Sequence, residues 1–180
     1  MKFTPTAVEG CFIVDLELRS DDRGFFARSY CVDEFAAQGI DFTIAQANTS
    51  FNHKAGTMRG MHRQIAPAAE GKLVRCTAGV ITDCCIDLRE DSPTYGASVM
   101  VELTADNHTA LWVPPYCGHG YLTHTDGAEV TYLVSGKYSP QHERGQRWND
   151  PAFKLEWPGE VLVISDKDAN APDWDGKPLP

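Results

Sequence analysis

Apolar residues in this chain come in short bursts rather than in long amphipathic stripes. Phe12-Ile13-Val14, Leu73-Val74-Arg75-Cys76, Val80 to Leu88, Val99 to Leu103, Leu111-Trp112-Val113 and Val130 to Val134 have strand length and are rich in β-formers. In Val99-Met100-Val101-Glu102-Leu103 the odd positions make one apolar face, the alternation of a half-buried strand. Turn chemistry separates the bursts at Ala78-Gly79, Asp91-Ser92-Pro93, Ala105-Asp106-Asn107 and Ser139-Pro140. Only Val32 to Gly39 reads as a helix, with Asp33 near its start and Gly39 as its stop. Many short strands and little helix predict an all-β sandwich or barrel with a few short helices.

The 180 residues suit one domain with its own core. No repeat or linker divides them, so a single domain over 1–180 is expected, with its core at about 10–168 and a surface tail over 169–180. A formal charge of -9 argues against a nucleic-acid partner, whose binding surfaces are basic. No run approaches the roughly 20 apolar residues that span a bilayer, and the N-terminus lacks a signal core. A cytoplasmic protein with no membrane partner is expected. The cysteines, Cys11, Cys31, Cys76, Cys84, Cys85 and Cys117, form no CxxC pair and read as reduced, structural thiols.

Six histidines are present, but no HxH pair that would aim two imidazoles inward from one strand, so no metal site is expected. His62 stands out by its neighbours, Arg59-Gly60-Met61-His62-Arg63-Gln64, where glycine lets the backbone pass close to a ligand. Lys72 sits at the mouth of an apolar strand, and Pro114 to Gly120 reads as a turn presenting His119 at the entry of the next strand. Phe25 and Phe26 follow a second arginine–glycine pair, and at least one of them is expected in the core. Taken together, His62, Tyr132, Lys72 and Asp168 offer a base, an acid, a cation and an orienting carboxylate. That set can move a proton on and off a carbon next to a ketone.

The ordered motifs Asp22-Arg23-Gly24-Phe25-Phe26, Arg59-Gly60-Met61-His62, Gly71-Lys72-Leu73-Val74-Arg75-Cys76, Ser92-Pro93-Thr94-Tyr95-Gly96 and Gly118-His119-Gly120 resemble the dTDP-4-dehydrorhamnose 3,5-epimerase family. So do Glu143-Arg144-Gly145, Arg147-Trp148 and Ser165-Asp166-Lys167-Asp168, which extend the match from about Ile13 to Asp168. The resemblance implies a cupin-type jelly roll, a homodimer and a nucleotide-linked 4-keto-6-deoxyhexose substrate, dTDP-linked by default, with no metal or organic cofactor. It implies rhamnose supply for a surface polysaccharide as the default role. By position, His62 matches the family's base, Asp168 its orienting carboxylate, Tyr132 the proton donor and Lys72 the cation beside the keto oxygen.

Substrate contacts are implied at Arg23, Phe26, Arg28, Gln46 and Asn48, and at Arg59, His119, Glu143 and Lys167 further along. Tyr138 falls where the family stacks an aromatic ring on the nucleobase. Three positions depart from the pattern. Arg28 stands where the family usually has glutamate, Arg63 where an aromatic is common, and Asn149 where an acid is usual. Inversion of carbon 3 or 5 alone, a ketoisomerase and a non-catalytic sugar-nucleotide-binding cupin are the alternatives. A base and an acid on opposite faces of the sugar favour epimerisation.

Overall fold

The computed structural model describes residues 1–176; the rest of the expected surface tail, 177–180, lies outside the described residues. Its elements follow in order as β1 (Lys2–Pro5), β2 (Phe12–Asp15), β3 (Arg19–Asp21), β4 (Gly24–Phe26), α1 (Val32–Ala36), β5 (Gln46–Asn52), β6 (Thr57–Gln64) and β7 (Lys72–Ala78). They continue as β8 (Val80–Ile86), β9 (Ser98–Thr104), β10 (Ala110–Val113), β11 (Gly118–Thr123), β12 (Ala128–Val134), β13 (Glu143–Gly145), β14 (Val163–Ile164) and α2 (Asp166–Ala169). Two open sheets form an all-β, cupin-type jelly-roll sandwich. The first runs β1-β2-β10-β7-β12-β5 and the second β13-β6-β11-β8-β9, with β14 parallel to β6.

The apolar bursts sort by face. Val74 and Cys76 of β7, Leu111 of β10, Val130 of β12, Ile81 and Cys85 of β8 and Leu103 of β9 meet between the sheets in one cluster. The alternate residues Leu73, Ala110 and Trp112 point to the other side of the first sheet. There Phe35 of α1, Ile40 and Phe42 cover them. On the outside of the second sheet, Met61, Cys84, Ile86 and Leu88 are covered by Phe153, Leu155, Trp157 and Trp174. Period-two alternation with both faces covered explains why the central strands read as nearly continuous apolar runs.

The structure departs from the sequence reading at several elements. β5, β6 and β11 are strands, although their residues carry no run of β-formers. The turn expected from Pro114 does present His119 at the entry of a strand, as the second residue of β11. β1 joins the first sheet ahead of the expected start of the core near residue 10, and Val8 is buried in the interior cluster. Asp168 lies on a second helix, α2, capped by the Ser165 side chain, which accepts the Asp168 backbone N–H. Beyond it the described part of the expected surface tail lies against the domain. Arg147 pairs with Asp173, Asp150 accepts the Trp174 backbone N–H, and the Trp174 indole donates to the Tyr95 hydroxyl. Neither Phe25 nor Phe26 is in the core. They are 47% and 70% exposed on the β3–β4 hairpin, where Phe25 leans on the His108 ring.

Candidate active site

The interior between the sheets is filled at one end and hollow at the other. The hollow has two lobes of about 340 Å³ and 220 Å³ that share His62, Lys72 and Tyr132 in their walls. Gln46, Asn48, Glu70, Tyr138 and Glu143 line the first lobe. Ser50, Arg59, His119, Tyr121 and Asp168 line the second. The strands supply these groups by pleat: on β5 the inward positions 46, 48 and 50 are all polar, and on β6 so are His62 and Gln64. Gln46 and Val134 are register partners, as are Val134 and Lys72, so three neighbouring strands bring Gln46, Lys72 and Tyr132 to one wall.

His62 Nε2 is 2.6 Å from Asp168 Oδ1. The other carboxylate oxygen, Oδ2, accepts the Gly60 backbone N–H at 3.2 Å. Asp168 is thus anchored to the strand that carries the imidazole it orients. Its burial opposes ionisation, but the bonds from His62 and Gly60, with the nearby imidazole charge, hold its carboxyl below the ordinary range. A carboxylate on one ring nitrogen leaves the other free to work in the hollow.

A second imidazole–carboxylate pair lies beside the first. His119 is the register partner of His62, and its Nε2 is 2.7 Å from Asp83 Oδ1. The strands that carry the two imidazoles touch through glycine. Gly60 has φ +117°, and a Cβ there would lie 2.5 Å from the Gly120 Cα; one on Gly120 would lie 2.6 Å from the Met61 sulfur. The β6–β11 register shifts at this point, as at a bulge, which re-aims side chains next to a site.

Tyr132 faces this pair from the first sheet. Burial raises its phenol above the usual value, and no hydrogen bond engages its hydroxyl among the described residues. Lys72 is half of a buried ion pair, its Nζ 3.7 Å from Glu70 Oε1. Burial lowers the lysine and raises the glutamate, each shift opposed by the partner's charge. At the rim, Glu143 Oε2 accepts both the Lys167 ammonium at 2.6 Å and the Tyr138 hydroxyl at 2.9 Å, while Gln46 accepts the Tyr138 backbone N–H. Tyr138 is 59% exposed there, a flat ring available for stacking. Arg59 is held by the Asn52 side chain at 2.8 Å.

Of the residues singled out in the sequence, the four proposed for proton transfer meet here, with Gln46, Asn48, Arg59, His119, Tyr138 and Glu143. Lys167 joins them through Glu143. Arg23, Phe26 and Arg28 do not line the cleft within this chain. Arg23 is paired with Asp21 on the hairpin, and Phe26 and Arg28 border a separate small hollow with Met1, Glu17 and Glu34. Sequence reading missed Glu70, Asp83, Ser50 and Tyr121. Asp83 carried a signal, as the one charge inside Val80-Ile81-Thr82-Asp83-Cys84-Cys85-Ile86. Among the described residues, no group of three or more His, Cys, Asp or Glu side chains is arranged to hold a metal ion, and no helix is long and apolar enough to cross a membrane.

Comparison with known proteins agrees with this geometry. The family model for dTDP-4-dehydrorhamnose 3,5-epimerase matches residues 5–176. The dTDP-4-dehydrorhamnose 3,5-epimerase of Shigella flexneri is 39% identical over 171 residues, covering 94% of each chain. The crystal structure of the Elizabethkingia anophelis enzyme of that name superposes with a TM-score of 0.95 at 31% identity, over 99% of both chains. A Legionella pneumophila dTDP-6-deoxy-D-glucose-3,5-epimerase, in complex with dTDP-4-keto-L-rhamnose, gives a TM-score of 0.89 at 32% identity, over 96% of this chain and 92% of that one. With nearly the whole length matched in sequence and in fold, this chain belongs to the dTDP-4-dehydrorhamnose 3,5-epimerase family.

Proposed function

We propose that this protein epimerises a nucleotide-linked 4-keto-6-deoxyhexose, converting dTDP-4-dehydro-6-deoxy-D-glucose to dTDP-4-dehydro-L-rhamnose. The observation that carries the reading is His62 on one sheet, held by Asp168 of α2, opposite Tyr132 on the facing sheet, around a hollow that Lys72 also lines. A hydrogen on carbon 3 or 5 is acidic because the carbonyl at carbon 4 can take the charge as an enolate. His62 takes that proton while Asp168 fixes its tautomer and supports the imidazolium that forms. Lys72 stabilises the enolate oxygen, the group where charge develops. Tyr132 returns a proton from the opposite face, and the centre inverts. Removal and return balance, so no electrons or co-reactants are needed.

The rim groups Tyr138, Gln46 and Glu143 suit the nucleotide end of the substrate. Arg23 and Phe26 on an exposed hairpin, and Arg28 just after it, lie outside their own cleft and act in this reading on the cleft of a second copy in a homodimer. Nucleotide sugars are made in the cytoplasm, where this reading puts the protein. Incubation with the dTDP-4-keto sugar in deuterated water tests it. Deuterium is expected at carbons 3 and 5 of the product; label at one centre alone makes the protein a mono-epimerase, and none overturns the reading. Tyr132→Phe should leave exchange measurable while slowing inversion, and equal loss of both would rule out a dedicated donor on the far face.

A further inference from the structure

The carboxylates around the cleft are already committed, with one exception. Asp168 Oδ1 is on His62, Asp83 Oδ1 is on His119, and Glu143 Oε2 is on Lys167 and Tyr138. Glu70 has one ion-pair partner among the described residues, Lys72, at 3.7 Å, with the His119 ring and the Gln64 side chain also facing it. Both side chains are nearly out of solvent, 10% and 12% exposed, in the wall of the same lobe as His62 and Tyr132. The Gly136 backbone closes over the glutamate; a Cβ at Gly136 would lie 2.9 Å from the Glu70 Cβ. An amine in so dry a place keeps its proton only with an anion beside it.

We propose that Glu70 is a positioning residue of the reaction, the counter-ion that holds Lys72 in the cleft as an ammonium aimed at the reacting carbonyl oxygen. The catalytic half of the proposal rests on the epimerase reading of Lys72; the charge pairing does not. The 3.7 Å gap is an ion pair without a short hydrogen bond, which leaves ammonium protons for a third partner such as an enolate oxygen. Glu70 thus acts through charge while leaving the donor free. Asp83 and Glu143 also face Lys72, and His119 faces Glu70. They are the groups that could replace or modulate the pair, and Asp83 Oδ2, which has no hydrogen-bond partner, is the chief competitor.

The sign follows from the partners. Burial lowers the Lys72 ammonium and Glu70 raises it back, so removing the carboxylate should make the lysine lose its proton at lower pH. The test labels the full-length protein with [13Cε]lysine and follows Lys72 by NMR through a pH titration, its signal assigned by its loss in Lys72→Arg. In Glu70→Gln the transition should fall by about one pH unit or more, while Glu70→Asp stays near the parent. The alkaline limb of deuterium incorporation into the dTDP-4-keto sugar should move with it. In Glu70→Gln/Lys72→Arg, where the cation cannot titrate, that shift should vanish.

An unmoved Lys72 transition in Glu70→Gln overturns the proposal, as does a transition that moves in Asp83→Asn instead. A transition that moves while the rate profile stays put overturns the catalytic half. If the parent protein incorporates no deuterium at all, the epimerase reading fails, and the NMR titration still decides whether the pair exists.

Discussion

His62 and Arg23 each belong to an arginine–glycine motif, yet the molecule treats them differently. His62 is fixed by a carboxylate that is itself tied back to the same strand, with a second imidazole pair alongside and an apolar layer covering the back of its sheet. Arg23 is 90% exposed and, among the described residues, bonds only Asp21, two residues away on its own hairpin. A half-buried imidazole held by a buried carboxylate keeps its geometry before substrate arrives, which proton transfer requires. The hairpin instead presents Phe26 to solvent and rests Phe25 on the His108 ring. In the proposed reading the cleft walls carry the chemistry and the hairpin serves recognition.

The contrast can be broken from the cleft side with the largest effects. His62→Ala should lower the rate of deuterium incorporation by about 10³-fold or more, with binding of dTDP retained; a fall of only a few-fold would move the base elsewhere. Asp168→Asn should cost about 10²-fold in kcat and also weaken the fold, because it loses its charge on both His62 and the Gly60 N–H. The pH dependence carries the same sign. Asp168 has its pKa depressed in the folded state, so its contribution to stability is present above the unfolded value of about 3.9 and is lost as pH falls through the folded one. Melting curves on acidification should drop less steeply in Asp168→Asn than in the parent. Asp21, its counterpart on the hairpin, is also lowered, by the Arg23 side chain and backbone, but in full solvent. Asp21→Asn should leave the melting temperature unchanged.

Smaller effects sharpen the comparison. Gly120→Ala should destabilise by about 1–3 kcal/mol in chemical denaturation, since its methyl meets the Met61 sulfur and the Arg59 carbonyl at under 3 Å. Unchanged stability would mean that β6 and β11 can part at little cost. Arg23→Ala should raise KM several-fold with kcat and melting temperature nearly intact, the mark of lost uniform binding; an equal fall in kcat would assign it to the chemistry. Arg28→Glu should change nucleotide preference alone, read as the ratio of Kd for dTDP over UDP. An unchanged ratio would remove base recognition as the meaning of that departure.

The sequence was legible where burial is apolar and opaque where it is polar. β7, β8, β9, β10 and β12 were found because their inward faces fill the interior cluster, and alternation of β-formers reports that. β5 reads Gln-Ala-Asn-Thr-Ser-Phe-Asn because its inward side is the wall of a binding hollow. β6 and β11 are punctuated by glycine where the strands touch, so neither periodicity nor propensity marks them. Local rules fail at functional strands because those strands are shaped for a ligand. The residues proposed for proton transfer came from side-chain chemistry and motif resemblance and not from hydrophobic pattern. Glu70, in Ala-Ala-Glu-Gly-Lys, looked like an ordinary polar loop residue because its importance depends on the dryness of a cavity that sequence does not display.

The crossing of β6 and β11 at Gly60 and Gly120 also bears on how such a protein could be re-tailored for other sugars. Backbone meeting backbone leaves no side chain to enlarge or trim, so the spacing between the two imidazoles is inherited as a fixed gauge. Variation that admits a bulkier or differently decorated hexose would have to come from side chains that line the hollow away from this crossing, such as Asn48, Ser50 and Tyr121. A designer seeking a new substrate should randomise those and leave the crossing alone.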